Sequence, residues 1–152
     1  MRVIYGISAT FASALILFVS ATSVADDAPL PDDLKVVTPG SDVQENYRRW
    51  SGAWRGTWGS ELDHILVVEQ VTASGDASVV YAWGDSSSWR IERGWIRAKG
   101  KISGNELELD RFRNSAEVEY TLEGPNSISG DYWRKSRLTE GTFHRYALPS
   151  AD

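Results

Sequence analysis

The sequence predicts an all-β fold: an eight-stranded antiparallel up-and-down barrel preceded by a short N-terminal helix. Three observations carry this. Everything after Gly52 reads as short runs of β-forming residues separated by turn signals. Connections this short favour pairing between sequential neighbours, and closing such a meander removes its exposed edges. The segment Ser51-Gly52-Ala53-Trp54-Arg55-Gly56-Thr57-Trp58-Gly59 alternates large, small, large at Trp54, Gly56 and Trp58. Successive strand side chains point to opposite faces, so one face of the opening strand carries two indoles around a bare glycine. A two-layer sandwich is the competing architecture, and it calls for longer crossovers than this chain offers.

The elements follow in order. Residues 1–25 read as a signal peptide. Met1-Arg2 supplies the positive start, Val3 to Val19 is mostly apolar, and Ser23-Val24-Ala25 offers small residues ahead of Asp26-Asp27. The alternative is an uncleaved anchor, but the apolar run is near the lower limit for spanning a bilayer. Cleavage is expected after Ala25. That leaves a secreted or periplasmic protein without stable membrane insertion.

Residues 26–40 read as a flexible acidic linker. Pro29, Pro31 and Pro39 are mixed with Asp26, Asp27, Asp32 and Asp33, and packing is not expected there. The barrel domain is expected over residues 41–148, with 149–152 as a tail. Ser41 and Gln44 form a capping box for a helix over about Asp42 to Trp50 that stops at Gly52. Val43, Tyr47 and Trp50 make its apolar stripe.

The strands are expected near 54–58, 64–73, 77–83, 89–102, 106–112, 116–123, 127–134 and 138–148. The second is apolar on both faces at Ile65-Leu66-Val67-Val68. A bulge at Gly94 would switch the inward face of the fourth from Trp89 and Ile91 to Ile96 and Ala98. The sixth alternates most cleanly: Ala116, Val118, Tyr120 and Leu122 inward, Glu117, Glu119, Thr121 and Glu123 outward. These glutamates are expected to pair with Arg111, Arg113, Arg134 or Lys135 on neighbouring strands.

Composition narrows the function. The chain has 152 residues, a net charge of −5 and no cysteine. Loss of Arg2 with the leader makes the charge −6. Net acidity argues against nucleic acid and against anionic membrane surfaces as partners. Without disulfides the domain must hold by burial alone.

A short helix followed by Gly52-Ala53-Trp54 at the start of the first strand resembles the Gly-x-Trp motif of lipocalins and the wider calycin superfamily. The resemblance implies that Trp54 closes the base of the barrel and that an arginine late in the last strand, here Arg145, packs across it. Gly52, Trp54 and Arg145 would then be structural. A guanidinium on an indole face gains cation–π attraction. The chain departs from lipocalins in its short strands and in lacking the long C-terminal helix and the usual disulfide. In compactness it is more similar to avidin-type barrels, which are also lined with tryptophan.

Aromatic residues dominate the candidate site. Trp58, Tyr81, Trp83, Trp89, Trp95, Tyr120 and Tyr132 fall on or beside strands, and such walls suit apolar molecules, flat aromatics and glycans. The same residues would equally fill a small core, so both a filled interior and a pocket remain open. Tyr81 to Trp89 places two indoles at the ends of a polar loop at the expected mouth, with Asp85 or Arg90 available to orient a polar group. His64 and His144 lack metal-site spacing. No Gly-x-Ser-x-Gly elbow, phosphate loop or thiol is present. The expectation is a non-enzymatic binding barrel with no cofactor, metal or catalytic residue. The alternative is a filled-barrel interaction or structural module of the cell envelope, whose protein partner the sequence does not identify.

Overall fold

Eight antiparallel strands close on themselves in chain order in the computed structural model, which describes residues 28–149. They are β1 (Gly52–Trp58), β2 (Leu62–Val71), β3 (Asp76–Trp83), β4 (Gly94–Ser103), β5 (Glu106–Leu109), β6 (Glu117–Leu122), β7 (Ser127–Arg134) and β8 (Arg137–Tyr146). Closure is direct: β1 pairs with β8 from Ala53↔Tyr146 to Trp58↔Gly141. The proposed leader and tail lie outside the described residues, apart from Pro149.

One end of the barrel, the base, carries the β2–β3, β4–β5 and β6–β7 turns. Helix α1 (Glu45–Arg48) sits there too, immediately before β1. It is a single turn, shorter than the capping box suggested, and Gln44 makes no side-chain cap. It is also not N-terminal within the described chain, because residues 28–44 precede it. So short a helix persists only through tertiary contact: Tyr47 packs on the core and Trp50 is fully buried.

The base is sealed by the residues the resemblance pointed to. The Arg145 guanidinium lies 3.8 Å from the centre of the Trp54 ring. It donates to the Ser51 carbonyl at 2.6 Å and to that of Arg49. Gly52 has φ +105°, a conformation that L side chains rarely adopt. Trp54 donates its indole N–H to the Trp50 carbonyl at 3.1 Å.

Above this seal the interior is solid. Trp58, His64, Tyr120 and Phe143 stack against one another, with Trp58 and Phe143 edge to face at 4.9 Å between centroids. The bare glycine between the two indoles is what admits Phe143. A Cβ on Gly56 would come within 2.0 Å of the Thr142 carbonyl oxygen and 2.8 Å of the Phe143 ring.

Residues 28–40 overturn the expectation of an unpacked linker. Ala28 is buried, and Leu30, Leu34 and Val36 pack on the outer face of β1–β3 against Ala53, Ile65, Val67, Val80 and Ala82. Polar contacts fix this strap. The Ala28 amide donates to Asp63 at 2.8 Å, and the Val37 amide donates to the Glu69 carbonyl at 2.7 Å. Arg97 clamps Asp33 at 2.9 Å and Glu69 at 3.1 Å. The strap supplies the outer cover that a strand apolar on both faces needs.

Candidate ligand-binding cleft at the barrel mouth

The other end differs because its strands stop at different heights. β5 ends at Leu109 and pairs with β4 only over Gly100–Ser103, so the upper part of β4, paired with β3 on one side, has no strand on the other. Residues 110–116 cross this gap as a loop. The result is an open cleft of about 1650 Å³ that enters the barrel beside β4. Its floor and walls include Trp58, Tyr81, Trp83, Ile96, Phe112 and Tyr132.

Local contacts hold the aromatic groups in place. Trp83 donates its indole N–H to the Glu92 carbonyl at 2.7 Å, and its ring lies where a Cβ on Gly94 would stand, 2.9 Å away. Trp89 lies over Gly59 of the β1–β2 turn. Tyr132 accepts from the Asn114 side-chain amide at 3.1 Å. Tyr81 stacks edge-on with Phe112, and burial pushes its hydroxyl pKa well up. Trp58 is almost fully buried, and its indole N–H has no hydrogen-bond partner. Its side chain approaches the Tyr81 hydroxyl without reaching hydrogen-bond geometry.

The expected site residues therefore divide. Trp58, Tyr81, Trp83, Trp89 and Tyr132 line the cleft, whereas Asp85, Arg90, Trp95 and Tyr120 do not. Asp85 is occupied by Arg93, accepting from its amide at 2.8 Å and pairing with its guanidinium at 3.3 Å. Arg90 is exposed in the same loop with φ +55°. Trp95 faces outward, because strand alternation sends it away when Ile96 and Ala98 face in. The Arg97 guanidinium lies 5.6 Å from its ring centre. The fourth strand begins at Gly94 instead of Trp89, so residues 84–93 form a loop carrying an isolated Ser86↔Ile91 bridge.

Tyr120 belongs to the core beneath the cleft. His64 donates from Nδ1 to the Ala82 carbonyl at 2.6 Å, and its Nε2 accepts from the Tyr120 hydroxyl at 2.8 Å. A carbonyl can only accept, so this pairing fixes the neutral tautomer. Burial pulls the His64 pKa down to about 3, against a smaller upward pull from the Ala82 carbonyl. His144 is exposed on the outer face of β8 while His64 points into the core, so the two do not share a site. Among the described residues, no three or more His, Asp or Glu side chains are placed to hold a metal.

Sequence reasoning missed the cations of the mouth. Arg111, Arg113, Arg134, Lys135 and Arg137 all line the cleft, and Asp110 is the one acid among its lining residues. The outward glutamates do not neutralise them as expected. Among the described residues only Glu117 pairs, with Arg111. Glu119 instead stands opposite Glu108 on one side and Asp131 on the other, and Asp131 opposite Glu140. Partial burial, then the charges of Glu106, Glu108 and Asp131, raises the pKa of Glu119. Acids thus form a belt around the outside of β5–β8 while cations gather at the mouth. Only their convergence in three dimensions reveals this, since in sequence each cation reads as an ordinary turn residue.

No protein-family model matches the chain, and no curated protein matches it in sequence. Solved structures do share its architecture. A redesigned β-barrel is similar to 67% of this chain over 96% of its own length, with a TM-score of 0.53 and 13% identity. A de novo designed fluorescence-activating β-barrel is similar over 68% of this chain and 100% of its own, with a TM-score of 0.49 and 15% identity. At such identities the likeness concerns the fold alone. The chain is an all-β protein with a closed eight-stranded antiparallel barrel.

Proposed function

We propose that this protein is an exported, non-enzymatic barrel of lipocalin-like type that takes a small apolar or aromatic molecule into its mouth. One observation carries the reading. The interior is solid from the base up to Trp58, yet above Trp58 an aromatic-walled cleft opens to solvent. A core built only for stability would close that end as it closes the other. Each 100 Å² of apolar ligand surface buried there contributes roughly 2.5 kcal/mol before the costs of association. Export rests on the leader pattern of residues 1–25. The absence of catalysis is proposed because His64, the one histidine beneath the cleft, is tied to Tyr120 and to the Ala82 carbonyl.

Intrinsic tryptophan fluorescence titrated against lipids, glycans and aromatic metabolites tests the proposal. A saturable response is expected, and Trp83→Ala should abolish it while Trp95→Ala should not. A flat response to every class would favour the interaction module, for which outward-facing Trp133 and Leu138, paired across β7 and β8, would serve as a contact patch.

A further inference from the structure

We propose that the ligand of this cleft is an anionic amphiphile: an apolar or flat aromatic body bearing a carboxylate, sulfonate or phosphate group. The inference rests on the cleft reading above and adds the charge of its occupant.

The β7–β8 hairpin supplies the central observation. Tyr132 and Thr139 pair across it and face the lumen, and the next lumen-facing pair is Arg134 and Arg137, directly opposite each other. Like charges placed directly opposite across two strands destabilise the pair. The two residues joining them, Lys135 and Ser136, both lie in the left-handed region with φ +48° and +64°. A two-residue turn of this kind is comfortable with Asn-Gly, not with Lys-Ser. So the chain holds three cations together on an unfavourable turn. Arg113, on the loop across the gap, adds a fourth. Among the described residues, none of the four has a carboxylate within ion-pair distance. This concentration stands on a chain of net charge −5, whose acids lie on the outer belt. Local rules broken without compensation inside the protein mark a site where a ligand supplies the missing partner.

The balance of the lining points the same way: its cations outnumber Asp110, the one acid among the lining residues. An anion supplies acceptors only, and two guanidinium forks suit its planar or tetrahedral oxygens. The apolar body would lie against Trp58, Tyr81 and Trp83, with the head group between Arg134, Arg137 and Arg113.

Three fluorescent probes that share one body test this: 1-pyrenebutanoate, 1-pyrenebutanol and 1-pyrenebutylammonium. Each is titrated by energy transfer from tryptophan, using the full protein. The carboxylate should bind about 10-fold or more tightly than the alcohol, and the ammonium most weakly. Raising salt from low to high should narrow that gap. The double variant R134Q/R137Q should bring the carboxylate down to the affinity of the alcohol. K35Q/R48Q, which removes the same charge away from the mouth, should leave the preference intact. Equal binding of alcohol and carboxylate to the unaltered protein, or tightest binding of the ammonium, overturns the charge assignment and leaves the cleft reading standing. Saturable binding of none of the three overturns both. The comparison on the unaltered protein decides the matter even if the double variant does not fold.

Discussion

The two ends of this barrel are built from the same residue types and behave differently. At the base, Trp54 is fully buried, its N–H is satisfied by Trp50 and its face is covered by Arg145. At the mouth, Trp83 is half-exposed, Trp89 more so, and the nearby arginines cover nothing. The same pair of groups, indole and guanidinium, closes one end and leaves the other available. What differs is strand length. β5 has four residues where the other strands have six to ten, and it leaves a gap on the mouth side. On the proposed function, stability and binding fall to opposite ends, and changes at each should have separable effects.

The largest effect should come from breaking the base. Trp54→Ala removes a buried indole and strands Arg145, so it should cost about 3–5 kcal/mol in urea unfolding. Trp83→Ala should cost about 1 kcal/mol or less while abolishing ligand response. A comparable loss of stability from both would erase the distinction between the ends. Gly56→Ala should come next, at about 1–3 kcal/mol or more, because its Cβ meets backbone at Thr142 as well as the Phe143 ring.

The boundary between the two regions is His64, and pH probes it. Its pKa is about 3 in the folded protein and 6.5 when free. The unfolded chain therefore takes up the proton first, and stability contributed by the neutral ring is complete above pH 6.5 and lost as pH falls towards 3. By pH 5 the loss should reach about 2 kcal/mol. The Glu119 belt acts in the opposite sense, since protonation there relieves repulsion. His64→Leu should remove the slope between pH 6.5 and 5 in thermal or urea melts, while lowering stability at pH 7 by leaving the Tyr120 hydroxyl without its acceptor. An unchanged slope would mean that His64 is not held neutral.

The smallest effect on stability outside the mouth should come from the strap. Leu34→Ala with Val36→Ala should cost about 1–2 kcal/mol together, without altering ligand response, since these half-buried residues cover the outer face of β1–β3. Loss of binding in this variant would show that the outer cover and the mouth are coupled.

Much of the base was legible in the sequence and much of the mouth was not, for physical reasons. Trp54, Gly56 and Trp58 alternate in a strand, and alternation is a local property. The pairing of Trp54 with Arg145 needed the family resemblance as a guide. The strap was misread because Pro29, Pro31 and the aspartates look solvated, although Ile65-Leu66-Val67-Val68 already demanded an outer cover. Trp95 was misplaced by treating aromatic identity as enough, when the inward assignment of Ile96 already sent it outward. Arg134 was assigned to the outward glutamates and Arg137 passed over, because charges flanking a turn ordinarily face water. Their lumen-facing register depends on the two-residue Lys135-Ser136 turn, which no Asn-Gly announces.

The most direct test of the division uses 5-fluorotryptophan and fluorine NMR, which resolves the seven indoles individually once each is assigned by substitution. On titration with 1-pyrenebutanol, the resonances of Trp58, Trp83 and Trp89 should move and saturate together, while those of Trp50, Trp54, Trp95 and Trp133 stay in place. Movement of Trp50 or Trp54 in step with the mouth, or no movement at Trp58, Trp83 and Trp89, would contradict a barrel sealed at one end and receptive at the other.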